Sequence, residues 1–128
     1  MQYEYFYGAQ AEQFSFYRIP KALFTEPNFR ELSTDAKVLY GILLDRMSLS
    51  LKNQWLDAQN KVYIIFTVEE IMDALNCANQ KATRLMVELE KQAGLIERKR
   101  QGLGRPNLIY VKNFAATMNN KSCEKGDS

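Results

Sequence analysis

The fold is decided by residues 67–111, which read TVEEIMDALNCANQKATRLMVELEKQAGLIERKRQGLGRPNLIYV. The stretch opens on a capping box, in which the Thr67 hydroxyl accepts from the backbone N–H of Glu70 while the Glu70 carboxylate reaches back. Apolar residues then recur at the spacing of one helix face, namely Val68, Ile71, Met72 and Leu75. A short amphipathic helix is therefore expected directly behind Thr67.

A second helical pattern follows after a three-residue turn. It covers about residues 79–93, and five apolar residues share one face: Ala82, Leu85, Met86, Leu89 and Ala93. Ala78 occupies the position where a Ser or Thr commonly caps such a helix, so we expect Asn76 or Asn79 to supply the cap. Gly94 is placed to end the helix in a left-handed conformation.

A hairpin completes the stretch. Residues 95–100 and 108–111 are strand-like, and the seven residues between them include two glycines, a proline and an asparagine. Turn-forming residues at that density predict a hairpin loop longer than the commonest two-residue turns.

A longer helix is expected upstream, beginning after Ser33, whose hydroxyl can cap it. Its apolar face continues as far as Met47. Residues 50–61 are polar and predict a loop around Trp55, whereas residues 62–66 form the short β-branched run that is typical of a strand. This places a helix and a strand ahead of the two helices and the hairpin.

The first 17 residues of the N-terminal arm hold seven of the fifteen aromatic residues: Tyr3, Tyr5, Phe6, Tyr7, Phe14, Phe16 and Tyr17. The alternation of several of them predicts strand pairing across Gly8. Disordered arms are poor in aromatic residues, so we expect this segment to pack on its own domain or on a second copy of the chain. The candidates for a dimer contact are Tyr3, Tyr5, Phe6 and Tyr7.

The composition excludes several classes of protein. A chain of 128 residues with 46% apolar residues supports one domain with a modest core. It contains no histidine, which removes Ser-His and Cys-His nucleophile pairs and imidazole zinc sites, and its two cysteines make no disulfide framework. No apolar run spans a bilayer and no signal peptide is evident, so a soluble, cytoplasmic protein is expected. We expect no enzymatic activity, no cofactor and no metal.

The formal charge of +2 conceals a segregation of charge along the chain. Residues 79–112 carry eight basic and three acidic residues, whereas residues 1–78 carry seven basic and ten acidic residues. A local basic excess of this kind can attract phosphates. It coincides with the second helix and the hairpin.

The second helix turns its apolar face inward and must therefore present polar side chains outward. Amides can bond adenine in two places, cations can reach guanine, and a threonine can touch a thymine methyl or a phosphate. The candidate DNA-reading residues are Asn76, Asn79, Gln80, Lys81, Thr83 and Arg84.

The hairpin supplies a second set of candidates. Gly102 and Gly104 allow its backbone to approach a sugar-phosphate chain closely, and an arginine at a loop tip suits a narrow minor groove. The candidate DNA-binding residues of the hairpin are Arg98, Lys99, Arg100, Arg105 and Asn107.

The order of helix, strand, helix, turn, helix and basic hairpin resembles the winged helix-turn-helix superfamily. The predicted fold is mainly α with a small β-hairpin wing. We expect an aromatic N-terminal arm at 1–24, a DNA-binding domain at 25–114 and a flexible tail at 115–128. The helix at 79–93 would enter the major groove, and the wing at 98–107 would lie on the adjacent minor groove or backbone.

A closer resemblance covers roughly residues 14–114. The segments FYRIPKALF at 16–24, LSTDAKVLY at 32–40 and GLIERKRQGLGRP at 94–106 are similar to the N-terminal domain of plasmid replication initiator A proteins of Gram-positive bacteria. The resemblance implies binding, as a homodimer, to the repeated sequences (iterons) of a plasmid origin. It also implies a C-terminal region that engages host replication proteins, which would make this chain part of a longer protein.

Two alternatives remain open from the residues alone. A winged-helix transcriptional regulator would use the same helix and wing on double-stranded DNA. A protein–protein docking module would use the fold without binding DNA, and the aromatic arm is material typical of an interface.

Overall fold

The structure is a computed structural model that describes residues 2–8 and 14–115. Its helices, in chain order, are α1 (Ala22–Thr25), α2 (Thr34–Lys52), α3 (Val68–Leu75) and α4 (Asn79–Val87), with a 3₁₀ turn at Pro27–Phe29 and a π-helical turn at Glu88–Gln92. The strands are β1 (Ile96–Lys99) and β2 (Leu108–Val111). The predicted class, mainly helical with a small hairpin, is confirmed. Within the described residues, no helix has the length and apolar character needed to cross a membrane.

Helix α2 begins as its sequence predicts. The Ser33 hydroxyl accepts a hydrogen bond from the N–H of Ala36 at 3.2 Å, which satisfies one of the unpaired donors of the first turn. The predicted end of the helix was wrong, because α2 continues to Lys52 and takes in the first residues of the expected loop at 50–61. Ser50 is fully buried on this last part of α2.

One apolar core joins the helices to the hairpin. Its fully buried side chains come from every part of the domain: Leu23, Leu39, Leu43, Ile64, Ile71, Leu85, Leu89 and Ile109. Leu23 belongs to α1, so the core starts ahead of residue 25, where the sequence had placed the beginning of the domain. Phe114 packs against the same core and marks its other end.

The helix-turn-helix forms as predicted. In the capping box of α3, the Thr67 hydroxyl accepts from the Glu70 N–H at 3.2 Å, and the Glu70 carboxylate accepts from the Thr67 N–H at 3.0 Å. Asn76 ends α3 in the left-handed conformation with a φ of 51°. Ala78 is the N-cap residue of α4, and no side chain of the described residues caps that helix, so the expectation that Asn76 or Asn79 would do so was wrong.

The single helix expected at 79–93 changes its winding after Val87. The Ala93 N–H bonds the Glu88 carbonyl at 3.0 Å, which is the wider spacing of a π-helical turn. A π turn accommodates one extra residue without moving the elements on either side. Gly94 then ends the segment with a φ of 67°, as predicted.

The hairpin pairs β1 with β2 in antiparallel register, from Ile96 opposite Val111 to Lys99 opposite Leu108. The predicted first strand at 95–100 is therefore shorter at both ends. The strand expected at 62–66 is reduced to two isolated bridges. Val62 bridges Leu56, and Ile64 and Ile109 exchange hydrogen bonds of 2.9 Å. The second bridge is enough to fix β2 against the helical part of the core.

The N-terminal arm does not form the predicted strands. Residues 2–8 and 14–18 contain no strand, and the aromatic side chains of the arm are exposed. The predicted strands of the arm were therefore wrong, whereas packing of the arm on its own domain or on a second copy stays a prediction. Residues 116–128, which hold nearly all of the expected flexible tail, lie outside the described residues.

Candidate nucleic-acid interface

Helix α4 presents one polar face to solvent. Ala82, Leu85 and Met86 are buried in the core, and the intervening positions point outward. The exposed side chains on this face are Asn79, Gln80, Thr83 and Arg84. These are four of the six residues that the sequence predicted to read bases.

The polar side chains at the turn before α4 do not cap that helix. Ala78 has the extended backbone of an N-cap residue, with a φ of −82° and a ψ of 168°, but offers no oxygen to the first turn. Asn76 is exposed at the end of α3, and Asn79 is exposed at the first position of α4. Both amides therefore remain on the outer surface beside the polar face of α4.

Helix α4 and the wing line a common cleft of about 410 Å³. Asn79 contributes from the start of α4, Arg105 and Asn107 from the hairpin loop, and Arg98 from β1. The structure thus brings together residues from both predicted sets. The first turn of α3, including Thr67 and Glu69, closes the remaining side.

Lys81 lies at the edge of the α4 face and has a partner in the protein. Its Nζ lies 2.6 Å from Oδ2 of Asp35, in the first turn of α2, and both side chains are roughly half exposed. The ion pair holds the lysine toward α2. The contact joins residues 46 positions apart in the chain, and local sequence patterns do not predict it.

Arg98 is held more firmly than its position in the wing suggested. Its Nε donates to Oε1 of Glu90 at 2.8 Å, and its backbone N–H donates to Oε2 of the same carboxylate at 3.2 Å. Only 25% of the Arg98 side chain and 17% of the Glu90 side chain are exposed. Burial raises the pKa of Glu90, but the hydrogen bonds and charge of Arg98 outweigh it and leave the pKa below its usual value. Arg98 therefore joins the wing to the π turn behind α4.

The wing tip carries the exposed cations. Lys99, Arg100 and Arg105 are exposed, and the Gln101 side chain donates to the Pro106 carbonyl across the loop at 2.8 Å. Gly102 and Gly104 adopt φ values of 122° and 77°, which favour glycine. Leu103, which the sequence analysis did not single out, is fully exposed between them.

The comparisons with known proteins agree with one another. Residues 15–125 match the family described as "Replication initiator protein A (RepA) N-terminus". A "41 kDa protein" of Lactobacillus helveticus is 32% identical over 92 residues, which is 72% of this chain and 26% of that protein. The chain therefore spans about a quarter of the length of the curated relative it matches.

Solved structures show the same similarity. An "N-Terminal domain of DNA binding protein" is 39% identical with a TM-score of 0.71, over 88% of this chain and 85% of that chain. A chain of "Structure of Rep-DNA complex" gives the same identity and TM-score, over 86% of this chain and 84% of that one. A chain of "Structure of MDR initiator" is 40% identical with a TM-score of 0.68, over 86% of each chain.

Proposed function

The chain belongs to the family of replication initiator protein A N-termini, and on that basis we propose that it binds double-stranded DNA sequence-specifically. Within a plasmid replication initiator it would be the domain that recognises the origin repeats. The solved relative described as a Rep–DNA complex supports this, because it shares 39% of its residues and the fold with this chain.

The cleft between α4 and the wing is the observation that carries the proposal. A helix fits the major groove, where each base pair displays a distinct pattern of donors and acceptors. The exposed side chains of α4 are amides, a hydroxyl and a guanidinium, which are the groups suited to reading that pattern. The wing residues Arg105 and Asn107 lie across the same cleft.

The two sets of residues take different roles in this proposal. Gln80, Thr83 and Arg84 reach the base edges, because they project from the exposed face of α4. Arg105, at the hairpin tip, follows the minor groove or the backbone beside it, where its charge offsets that of the phosphates. Lys99 and Arg100 add cations along the same wing. Arg98 and Lys81 form ion pairs with carboxylates of the protein, so less of their charge is available to DNA.

The assembly is also part of the proposal. A homodimer would place two reading helices on successive repeats. In this proposal the exposed aromatic residues of the arm form the contact between the two copies. Recruitment of host replication proteins through a C-terminal region, and a place in the cytoplasm beside plasmid DNA, complete the proposed role. The domain contributes binding to this role and performs no catalysis.

Selection of bound duplexes from a random pool at a stated salt concentration tests the function. We expect a consensus of repeated half-sites, whose order shows whether the two copies bind head to tail or around a two-fold axis. Recovery of duplexes without any shared sequence would contradict sequence-specific binding and favour the docking-module alternative.

A further inference from the structure

A large apolar groove lies on the part of the domain formed by α2, β2 and the residues around α1. Its volume is about 1000 Å³. Helix α2 contributes residues at the spacing of a single face: Tyr40, Leu44, Met47 and Leu51. Val111 of β2 and Phe114 line the groove as well. Among the described residues, none lines both this groove and the cleft beside α4.

The same chain carries an exposed aromatic arm, defined here as residues 2–8 and 14–17. Tyr5 is 83% exposed and Phe6 is 62% exposed. The Phe6 and Phe14 rings meet edge to face with their centres 5.9 Å apart, so the two parts of the arm lie together. Exposed apolar clusters of this kind are typical of surfaces that meet another molecule.

The course of the chain keeps the arm away from its own groove. Arg18 and Ile19 cross α2 at Gly41, where an added Cβ would lie 2.8 Å from Cγ1 of Ile19 and 3.0 Å from the carbonyl oxygen of Arg18. Tyr17, before the crossing, lines a pocket together with α2 residues on one side of the helix: Ile42, Asp45, Arg46 and Leu49. Pro20, after the crossing, lines the groove.

Those two sets of α2 residues are on opposite faces of the helix. At 3.6 residues per turn, positions 42, 45, 46 and 49 point about 180° away from positions 40, 44, 47 and 51. The arm and the groove of one chain are thus separated by the width of α2. A second copy meets no such obstacle.

The charges of the two surfaces are complementary. Three exposed lysines, Lys21, Lys61 and Lys112, stand around the groove, together with Glu97. Glu4 is the single charged residue among residues 2–8 of the sequence, and it is exposed. An arm with one negative charge therefore suits a groove with a basic rim.

We propose that the aromatic arm of one copy docks into the α2–β2 groove of a second copy. The inference deepens the homodimer of the proposed function and names the two surfaces that form it. The contact joins unlike surfaces, so a closed dimer exchanges both arms around a two-fold axis. The groove shares no described lining residue with the cleft beside α4, so a docked arm leaves that cleft open in each copy.

Sedimentation of the full chain tests the contact with three variants. The arm variant carries Tyr5→Ser and Phe6→Ser, and the groove variant carries Met47→Glu and Leu51→Glu. Val87→Ser serves as the control, because it removes an exposed apolar side chain that belongs to neither surface. We expect each of the first two variants to weaken self-association at least about tenfold, as the loss of aromatic or aliphatic burial requires. The control should associate as the wild type does.

Mixing the arm variant with the groove variant gives the sharper result. The mixture retains one intact arm and one intact groove, so a 1:1 complex should form where neither variant associates alone. That complex also shows that both variants are folded. Association of the groove variant at the wild-type level would mean that arms pair with arms or that the groove takes another protein, and it would overturn the proposal. So would a mixture that stays monomeric.

The DNA affinity of the same variants separates this inference from the function on which it rests. Both variants should bind a single repeat as the wild type does, because α4 and the wing are unchanged. A wild-type chain that binds its repeat but remains monomeric would overturn the docking of the arm and leave DNA binding intact. A chain that dimerises through the arm and the groove but does not bind DNA would overturn the proposed function and leave the docking of the arm intact.

Discussion

The carboxylate of Glu90 holds Arg98 by two of its donors, the backbone N–H and the guanidinium Nε. Glu90 belongs to the π turn that follows α4, and Arg98 belongs to β1 at the base of the wing. One carboxylate therefore ties the reading helix to the wing. Both side chains are mostly buried, which gives the contact more weight than an exposed ion pair would have.

Replacing Glu90 with glutamine should loosen the wing. A glutamine at position 90 keeps one oxygen, which can accept from one Arg98 donor, but it loses the second oxygen and the negative charge. We therefore expect Glu90→Gln to lower the free energy of unfolding by about 1–3 kcal/mol. Urea denaturation measures it. Lys99→Ala, an exposed neighbour on β1, should change stability by less than about 0.5 kcal/mol. Equal effects of the two substitutions would show that the pair holds nothing together.

The same pair predicts a pH dependence. The folded-state pKa of Glu90 is lowered, so its contribution to stability is present above the ordinary glutamate pKa and is lost as the pH falls through the lowered value. The stability difference between wild type and Glu90→Gln should therefore be constant near neutral pH and shrink as the pH falls below the ordinary glutamate pKa of about 4.3. A difference that grew on acidification would contradict this sign.

Arg84→Ala tests base reading by α4. Loss of a guanidinium that bonds a base should cost about 1–3 kcal/mol on the selected duplex and reduce the preference over random duplex. Binding curves on both duplexes at one salt concentration measure the two effects. An equal loss on both would reassign Arg84 to phosphate contact.

Arg105→Ala tests the wing. Removing one cation from a phosphate should lower the slope of the logarithm of affinity against the logarithm of salt concentration by about one unit. Lys52→Ala, which removes an exposed cation at the end of α2, is the matched control and should leave the slope unchanged. If Arg105→Ala also leaves it unchanged, the wing does not touch DNA.

Asp35→Asn tests the ion pair beside the reading face. The substitution frees Lys81 for phosphate and removes a negative charge next to α4, so affinity for random duplex should rise. Because a phosphate contact does not depend on sequence, the affinity for the selected duplex should rise by a similar factor. Affinity that is unchanged on every duplex would place Asp35 and Lys81 outside the interface.

The helix-turn-helix was predictable because its signals are local. Thr67 and Glu70 are three residues apart, Ser33 accepts from the N–H of Ala36 three residues on, and Gly94 carries its own conformational preference. Each of these needs only its neighbours along the chain. The order of elements followed from them, and with it the placement of Asn79 and Arg84 on an outer face.

The long-range contacts that modify the site could not be predicted from local sequence patterns. The Glu88 carboxylate accepts from the N–H and the hydroxyl of Ser33, 55 residues away, and sits in a π turn that the apolar spacing did not reveal. Asp35 meets Lys81 only because α2 packs beside α4. The aromatic alternation near Tyr5 predicted a strand because such alternation is typical of burial on one face, whereas Tyr5 and Phe6 are exposed in the structure.

Whether α4 and the wing read the sequence of a duplex is measured by the ratio of the chain's affinities for two duplexes. One duplex carries the selected consensus and the other has the same bases in scrambled order, at equal length and near-physiological salt. If α4 and the wing do so, we expect the wild-type chain to bind the consensus at least about 10³-fold more tightly than the scrambled duplex. Equal affinity for the two duplexes would contradict sequence-specific binding.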